Sequence, residues 1–358
     1  MAWNRESEIH LKWRGGRLID LNGRASDLLS FYRRHVQRHE FGGVKGVRLR
    51  CDVFSVPDAR GALIVCHGAG ESSVRYSELV YDLLVNDVGY ELFLINFRGQ
   101  GYSQRVTGTV REWSPEWRPD GENREVIDYR KTHVERFDHY ADDLHRLISR
   151  VIAPLGHRNL YALGHSMGGG ILTRHLERHP GTLSAAVLSA PMLCVNWPVR
   201  PSWITSALFK TMSKFRGRSY AWGERAFRFF DEPFEGNPYT RSRSRFMLRQ
   251  YLLQENPETV LGGKTWGWAH QVHSALKQVR ADAGRIETPV LLFTAGDDVK
   301  VAPWAHRRVA QRITRGTAPP RCRHVILAKA RHELLQEKDE IRDRVLNETI
   351  GFLLENEI

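Results

Sequence analysis

A serine between glycines, followed far downstream by an aspartate and then a histidine, marks where this sequence could do chemistry. Gly164-His165-Ser166-Met167-Gly168 follows an apolar run and leads into Gly169-Gly170-Ile171-Leu172, the strand, turn and helix context that a G-x-S-x-G elbow requires. Small neighbours let the serine hydroxyl stand clear of a strained turn, so Gly164 and Gly168 have a mechanical task. A serine hydroxyl is a weak nucleophile until a base removes its proton, and an imidazole does this near neutral pH when a carboxylate holds its tautomer. Thr294-Ala295-Gly296-Asp297-Asp298 follows one apolar run and Ala328-Lys329-Ala330-Arg331-His332 another. The candidates are therefore Ser166 as nucleophile, His332 as base and Asp298 as its orienting acid, with Asp297 set aside only by spacing to Val301. Each acid could instead cap a helix, but their joint order makes coincidence a poor account. His67-Gly68-Ala69-Gly70 supplies a turn for an oxyanion hole, with the backbone N–H groups of Ala69 and Met167 as donors. No GxxxxGK[ST] follows it, which makes a phosphate cradle the weaker reading.

These residues must be positioned by a sheet. Ala62–Cys66, Glu91–Ile95, Leu160–Leu163, Ala185–Leu188, Val290–Phe293 and His324–Leu327 have strand length and are apolar enough for burial on both faces. Between them, Phe137, Tyr140, Ala141, Leu144, Leu147, Ile148 and Val151 recur at helical spacing, and Ile341–Leu354 does likewise. The alternation predicts a mainly parallel sheet covered by helices. Upstream, the stretch from Ser26 to Tyr32 reads as a capped helix bracing the domain, and Val44–Val53 as an antiparallel edge hairpin. Two stretches break the pattern: 102–135, rich in charge, Pro and Gly and carrying Trp113 and Trp117, and 191–285, which is helical in pattern. Long connections of this kind are more often functional or disordered than inert.

Composition narrows the function classes. The chain has 358 residues and a net charge of +12, and residues 191–285 hold 15 Lys and Arg against 7 Asp and Glu. Such a surface favours anionic partners. No nucleic-acid module or RNP-like aromatic platform accompanies it, so nucleic acid is not expected. The four cysteines, Cys51, Cys66, Cys194 and Cys322, are scattered and fit free thiols in a reducing compartment. His175/His179 and His35/His39 have helical i,i+4 spacing without the glutamate of HExxH, so neither a metal nor another cofactor is expected. No run is long enough to span a membrane and the start lacks an apolar leader, which points to a cytoplasmic protein.

The chain resembles the monoglyceride lipase and bacterial lysophospholipase branch of the α/β-hydrolases over most of its length. His67-Gly68-Ala69-Gly70-Glu71 with Arg75-Tyr76, and Arg98-Gly99-Gln100-Gly101, are similar to monoglyceride lipase turns. Val134–Leu144, Ala330-Arg331-His332-Glu333 with Gln336–Asp339, and Leu261–Trp266 resemble the lysophospholipase form more closely. The resemblance implies an α/β-hydrolase core formed by 1–190 and 286–358, with a helical cap, 191–285, inserted after the sixth strand. It implies a lysophospholipase, with a monoacylglycerol lipase or general carboxylesterase as alternatives and a non-catalytic binding protein as a remote one. Trp197, Trp203, Ile204, Leu208, Phe209, Met212, Phe215, Phe227, Phe229 and Phe230 are enough to pack the cap and line an acyl channel. Lys210, Lys214, Arg216, Arg218, Arg241, Arg243, Arg245 and Arg249 form a basic face expected to rest on the inner, anionic face of a membrane. Oligomeric state is not legible in the sequence.

Overall fold

The computed structural model describes residues 24–107, 131–197, 202–227 and 233–358. Trp113, Trp117, Phe229 and Phe230 lie outside them. Each apolar run of the sequence becomes a strand: β3 (Gly61–Cys66), β4 (Tyr90–Asn96), β5 (Leu160–His165), β6 (Ala185–Ser189), β7 (Val290–Ala295) and β8 (Cys322–Leu327). With β1 (Gln37–Gly42) and β2 (Arg48–Phe54) they make one eight-stranded sheet in the order β1-β2-β4-β3-β5-β6-β7-β8. β3 to β8 run parallel, while β1 and β2 pair antiparallel and β2 pairs antiparallel with β4.

Two expectations about the sheet need correction. The edge hairpin begins at Gln37, earlier than Val44, because the mostly exposed, polar β1 is held by backbone pairing to β2 and gives no apolar signal. β8 is not buried on both faces: it closes the sheet's far edge, so Arg323 and Ile326 are exposed and His324 and Val325 only half-buried.

Because side chains alternate across a strand, the sheet feeds two cores. Ala62, Ile64 and Cys66 of β3 face α3 (Asp138–Leu147), α4 (Met167–Arg178) and α8 (Pro303–Thr314). Leu63 and Val65 face the layer of α1 (Ala25–His35), α2 (Ser77–Val85) and α9 (Asp339–Glu355). α1 braces that layer through Leu28, Leu29 and Tyr32, and the Tyr32 hydroxyl donates to Asp52 at 2.8 Å. Its N-terminal boundary is Arg24, with no side-chain cap, so Ser26 lies inside the helix.

Between β6 and β7 the chain forms α5 (Ser202–Arg216), α6 (Arg243–Glu255) and α7 (Trp266–Asp282). α7 sends Trp268, Val272, Leu276 and Val279 into the first core, and α6 sends Leu248 and Leu252 into the second. α5 instead packs Phe209 against Trp266 and Ala269, with Leu208 and Met212 alongside, and leaves Trp203 and Phe215 exposed.

The expected basic face divides in the same way. Arg245 is buried, 2% exposed, and makes a bidentate pair with Glu78 at 2.8–3.1 Å and a bond to Asp339 at 2.7 Å. Arg342 lies behind it, paired with Asp82 at 2.8 Å and with Glu78 at 3.7 Å. Burial raises the Glu78 pKa, but Arg342 and Arg245 outweigh it and hold the carboxyl below its ordinary range. Arg241 is tied to Asp297 at 2.6 Å and Arg243 to Glu235 at 3.1 Å. Arg243 remains on the solvent face as expected, whereas sequence alone could not take Arg245 off it because its acidic partner, Glu78, comes from α2.

Removing one member of a buried ion pair leaves the other uncompensated. Arg245→Ala is expected to destabilise the fold by about 3–5 kcal/mol, whereas Arg243→Ala, at an exposed pair, changes stability by less than about 1 kcal/mol. Chemical denaturation of the two variants checks the contrast.

Candidate active site

The turn between β5 and α4 is strained at one residue. Ser166 has φ 49° and ψ −115°, a conformation L side chains rarely adopt. Crossing backbone bonds hold it there: the Ser166 N–H donates to the Ser189 carbonyl at 3.0 Å, and the Ser166 carbonyl accepts from Met192 N–H at 2.7 Å. The glycines permit the crossing. A Cβ on Gly168 would come within 2.1 Å of the Cys66 carbonyl oxygen, and one on Gly164 within 2.8 Å of Gly168.

Ser166, Asp298 and His332, each at the carboxyl end of a different strand, meet at this turn. His332 Nε2 lies 2.8 Å from Ser166 Oγ, and His332 Nδ1 lies 2.7 Å from Asp298 Oδ2. Asp298 Oδ1 accepts the N–H groups of Lys300 at 2.7 Å and Val301 at 3.1 Å, which fixes the carboxylate plane. Burial works against the Asp298 charge, but the hydrogen bond and charge of His332 with these two amides hold its pKa below the ordinary value. Asp297 points away and pairs with Arg241, 48% exposed. All three side chains of the triad are buried among their partners, with Ser166 the most open at 9%. With Asp298 accepting from Nδ1–H, Nε2 presents its lone pair to the Ser166 hydroxyl, the tautomer a general base needs.

The two expected oxyanion donors lie in the loop after β3, at Ala69, and at the start of α4, at Met167. Met167 is the first residue of α4, so its N–H has no acceptor within the helix. Ala69 stands between two tied amides: Gly68 N–H donates to Glu71 Oε2 at 2.8 Å and Gly70 N–H to Gln100 Oε1 at 2.7 Å. His67 holds the loop from below, with Nδ1 2.7 Å from the Gly68 carbonyl and Nε2 accepting from Phe97 N–H at 3.1 Å. Burial lowers the His67 pKa and keeps it neutral for both roles.

Several supporting residues escaped the residue-level reading. Arg75 pairs with Glu333, beside His332, with both side chains buried. His306 joins Pro191, which follows the elbow's crossing strand, to β7: Nε2 lies 2.7 Å from the Pro191 carbonyl and Nδ1 2.9 Å from Thr294 Oγ1. Burial pushes the His306 pKa down to about 4, so it joins these groups as a neutral ring. Arg98 grips Asp143 through two bonds of 2.6 and 2.8 Å, anchoring the turn that carries Gln100 to α3. The Arg98-Gly99-Gln100-Gly101 motif was a signal for that anchor; His306 left none, being one histidine among 16.

A family model described as serine aminopeptidase, S33, matches residues 57–339. The chain belongs to this family of α/β-hydrolases. It is 32% identical over 329 residues to lysophospholipase L2 of Escherichia coli, covering 91% of this chain and 89% of that one. It is 30% identical to a monoacylglycerol lipase of Mycolicibacterium smegmatis over 179 residues, 49% of this chain and 53% of that one. Among solved structures, a monoglyceride lipase of Saccharomyces cerevisiae superposes with a TM-score of 0.66 at 17% identity, over 90% of this chain and 95% of that one, a likeness of fold.

The two aspartates separate cleanly on this geometry. Asp298→Asn should cut ester turnover by about 10⁴-fold, since an amide no longer holds the imidazole tautomer, while Asp297→Asn should leave it within a few-fold. Steady-state kinetics on a chromogenic ester, with folding checked by circular dichroism, compares them.

Proposed function

We propose that this protein is a serine hydrolase that cleaves the carboxylic ester of a single-acyl lipid, with a lysophospholipid as its substrate. The observation that carries the chemistry is His332 hydrogen-bonded at once to Ser166 Oγ and to Asp298. Ser166 Oγ attacks the ester carbonyl as its proton passes to His332 Nε2, and the Ala69 and Met167 amides stabilise the tetrahedral oxyanion. His332 returns the proton to the departing glycerol oxygen, leaving an acyl-serine. Water, deprotonated by His332, then attacks that ester, and collapse releases the fatty acid and restores the serine hydroxyl. The strain at Ser166, the buried orienting acid and the tied oxyanion loop support these roles.

The lysophospholipid assignment rests on likeness to lysophospholipase L2 over nine tenths of the chain. Monoacylglycerol is the second reading, favoured by the match to the mycobacterial lipase over half of it. Release of fatty acid from lysophosphatidylcholine, lysophosphatidylethanolamine and monoacylglycerol, measured side by side for wild type and Ser166→Ala, separates them. Faster turnover of the lysophospholipids, lost in the variant, is expected. Preference for monoacylglycerol would keep the triad and overturn the substrate, and activity untouched by Ser166→Ala would overturn the mechanism.

The segment 191–285 acts in this reading as a cap that presents the site to lipid, and α5 is its membrane-facing element. Trp203 and Phe215 are 70% and 73% exposed on α5, beside exposed Lys210, Lys214 and Arg216. Aromatic rings interleaved with cations suit the headgroup region of an anionic leaflet, where each cation contributes about 1 kcal/mol. No helix among the described residues is long and apolar enough to cross a membrane, so contact would be peripheral. Binding to vesicles containing phosphatidylglycerol should fall steeply as salt is raised, and Lys210→Glu/Lys214→Glu should bind more weakly at low salt with a shallower salt dependence. Binding indifferent to ionic strength would remove the membrane role from α5.

A further inference from the structure

At the end of α4 remote from Ser166, three imidazoles converge. His175 lies in the helix's last turn, His179 is its C-terminal boundary residue, and His145 faces them from α3. One ring nitrogen from each lies within 4.8 Å of the other two. The His145 and His179 rings stack with centroids 3.9 Å apart, and His175 sits 5.8 and 5.0 Å from them.

Buried ring nitrogens ordinarily have hydrogen-bond partners. Here His145 Nδ1, His175 Nδ1 and His179 Nε2 are buried without one. His175, fully buried, is the informative member. The Thr182 hydroxyl donates its proton to the His179 carbonyl at 2.8 Å, so at its 2.9 Å contact with His175 Nε2 it must accept. His175 Nε2 is therefore the donor to Thr182, which leaves Nδ1, beside the Ala141 carbonyl, as the nitrogen open to a ligand. Fixing the far nitrogen by a hydrogen bond is how ligating histidines are oriented for a metal. Burial, with His179 and His145 beside it, pushes the His175 pKa down to about 3 against a smaller upward pull from the Ala141 carbonyl. Burial, His145 and Arg178 lower that of His179, with Asp142 opposing.

We propose that His145, His175 and His179 form a binding site for a divalent transition-metal ion of the zinc class, which clamps the C-terminal end of α4 to α3. Three neutral imidazoles are the donor set such ions favour over calcium or magnesium. At zinc–nitrogen distances of about 2.0–2.1 Å, tetrahedral ligands stand roughly 3.3 Å apart, so binding draws the rings together. It also turns His145 or His179 out of the stack, because an ion lying in the plane of one ring cannot lie in the plane of a parallel one. Water completes the coordination. The His175/His179 spacing lacks the glutamate of HExxH, and the third ligand comes from another helix, so no linear motif marks the set.

Full-length protein, stripped with EDTA and dialysed, is titrated with zinc chloride by calorimetry and followed by thermal unfolding. One zinc per chain is expected, with a midpoint raised by roughly 3 °C when free zinc is a hundred times its dissociation constant. Both effects should vanish in His175→Gln and His179→Gln and persist in His35→Gln, which alters the other i,i+4 pair. X-ray absorption at the zinc edge counts imidazole ligands on the wild type and requires no variant to fold. Three imidazoles support the site. Fewer than three, no stoichiometric zinc, or binding that survives both substitutions would overturn it.

Discussion

Everything at the site depends on one strained residue held in place by its neighbours. Ser166 occupies a backbone conformation that costs of order 1–3 kcal/mol, and it stays there because its N–H and carbonyl are both spent on the chain around β6. The close approach of Gly168 to the Cys66 carbonyl then sets where α4 begins relative to β3. The same approach brings the start of α4 against the loop after β3. An elbow that failed to close would lose the proposed nucleophile, one proposed oxyanion donor and the packing of α4 on the sheet together.

Charge does the long-range fastening. Arg98 and Asp143 join the loop after β4 to α3, Arg75 and Glu333 join the loop after β3 to the histidine loop, and Arg245, Glu78, Arg342 and Asp82 join α6 to α2 and α9. Each pair is buried, so its desolvation is offset only by close geometry and further hydrogen bonds. Such pairs define which loop sits against which more sharply than apolar contacts, which tolerate sliding. The loops bearing Ala69, Gln100 and His332 are held in this way, while the catalytic contacts themselves stay short.

α4 thus works at both ends. Its N-terminus carries Ser166 and the Met167 amide, and its C-terminus meets α3 through histidines with buried, unpartnered nitrogens. Between them Ile171, Leu172 and Leu176 anchor the helix in the first core. The ion proposed for the far end would act on the helix that carries Ser166 at its other end.

Much of this protein was legible in the order of its residues. The six parallel strands and the elbow are local: each needs only a few neighbouring residues and a period of two or 3.6 to declare itself, and the order of serine, acid and histidine follows from which strand each one succeeds. Tertiary structure decided what depends on distant partners. It brought Asp298, and not Asp297, to His332 by turning the latter toward Arg241. It took Arg245 out of the basic face, placed polar β1 in the sheet through backbone bonds, and left β8 half-exposed at an edge. It also gathered His145 to His175 and His179, which one helix alone could not do. A side chain's type is written in the sequence, but whether a charge is solvated, a ring nitrogen satisfied or a strand covered depends on what the fold brings against it.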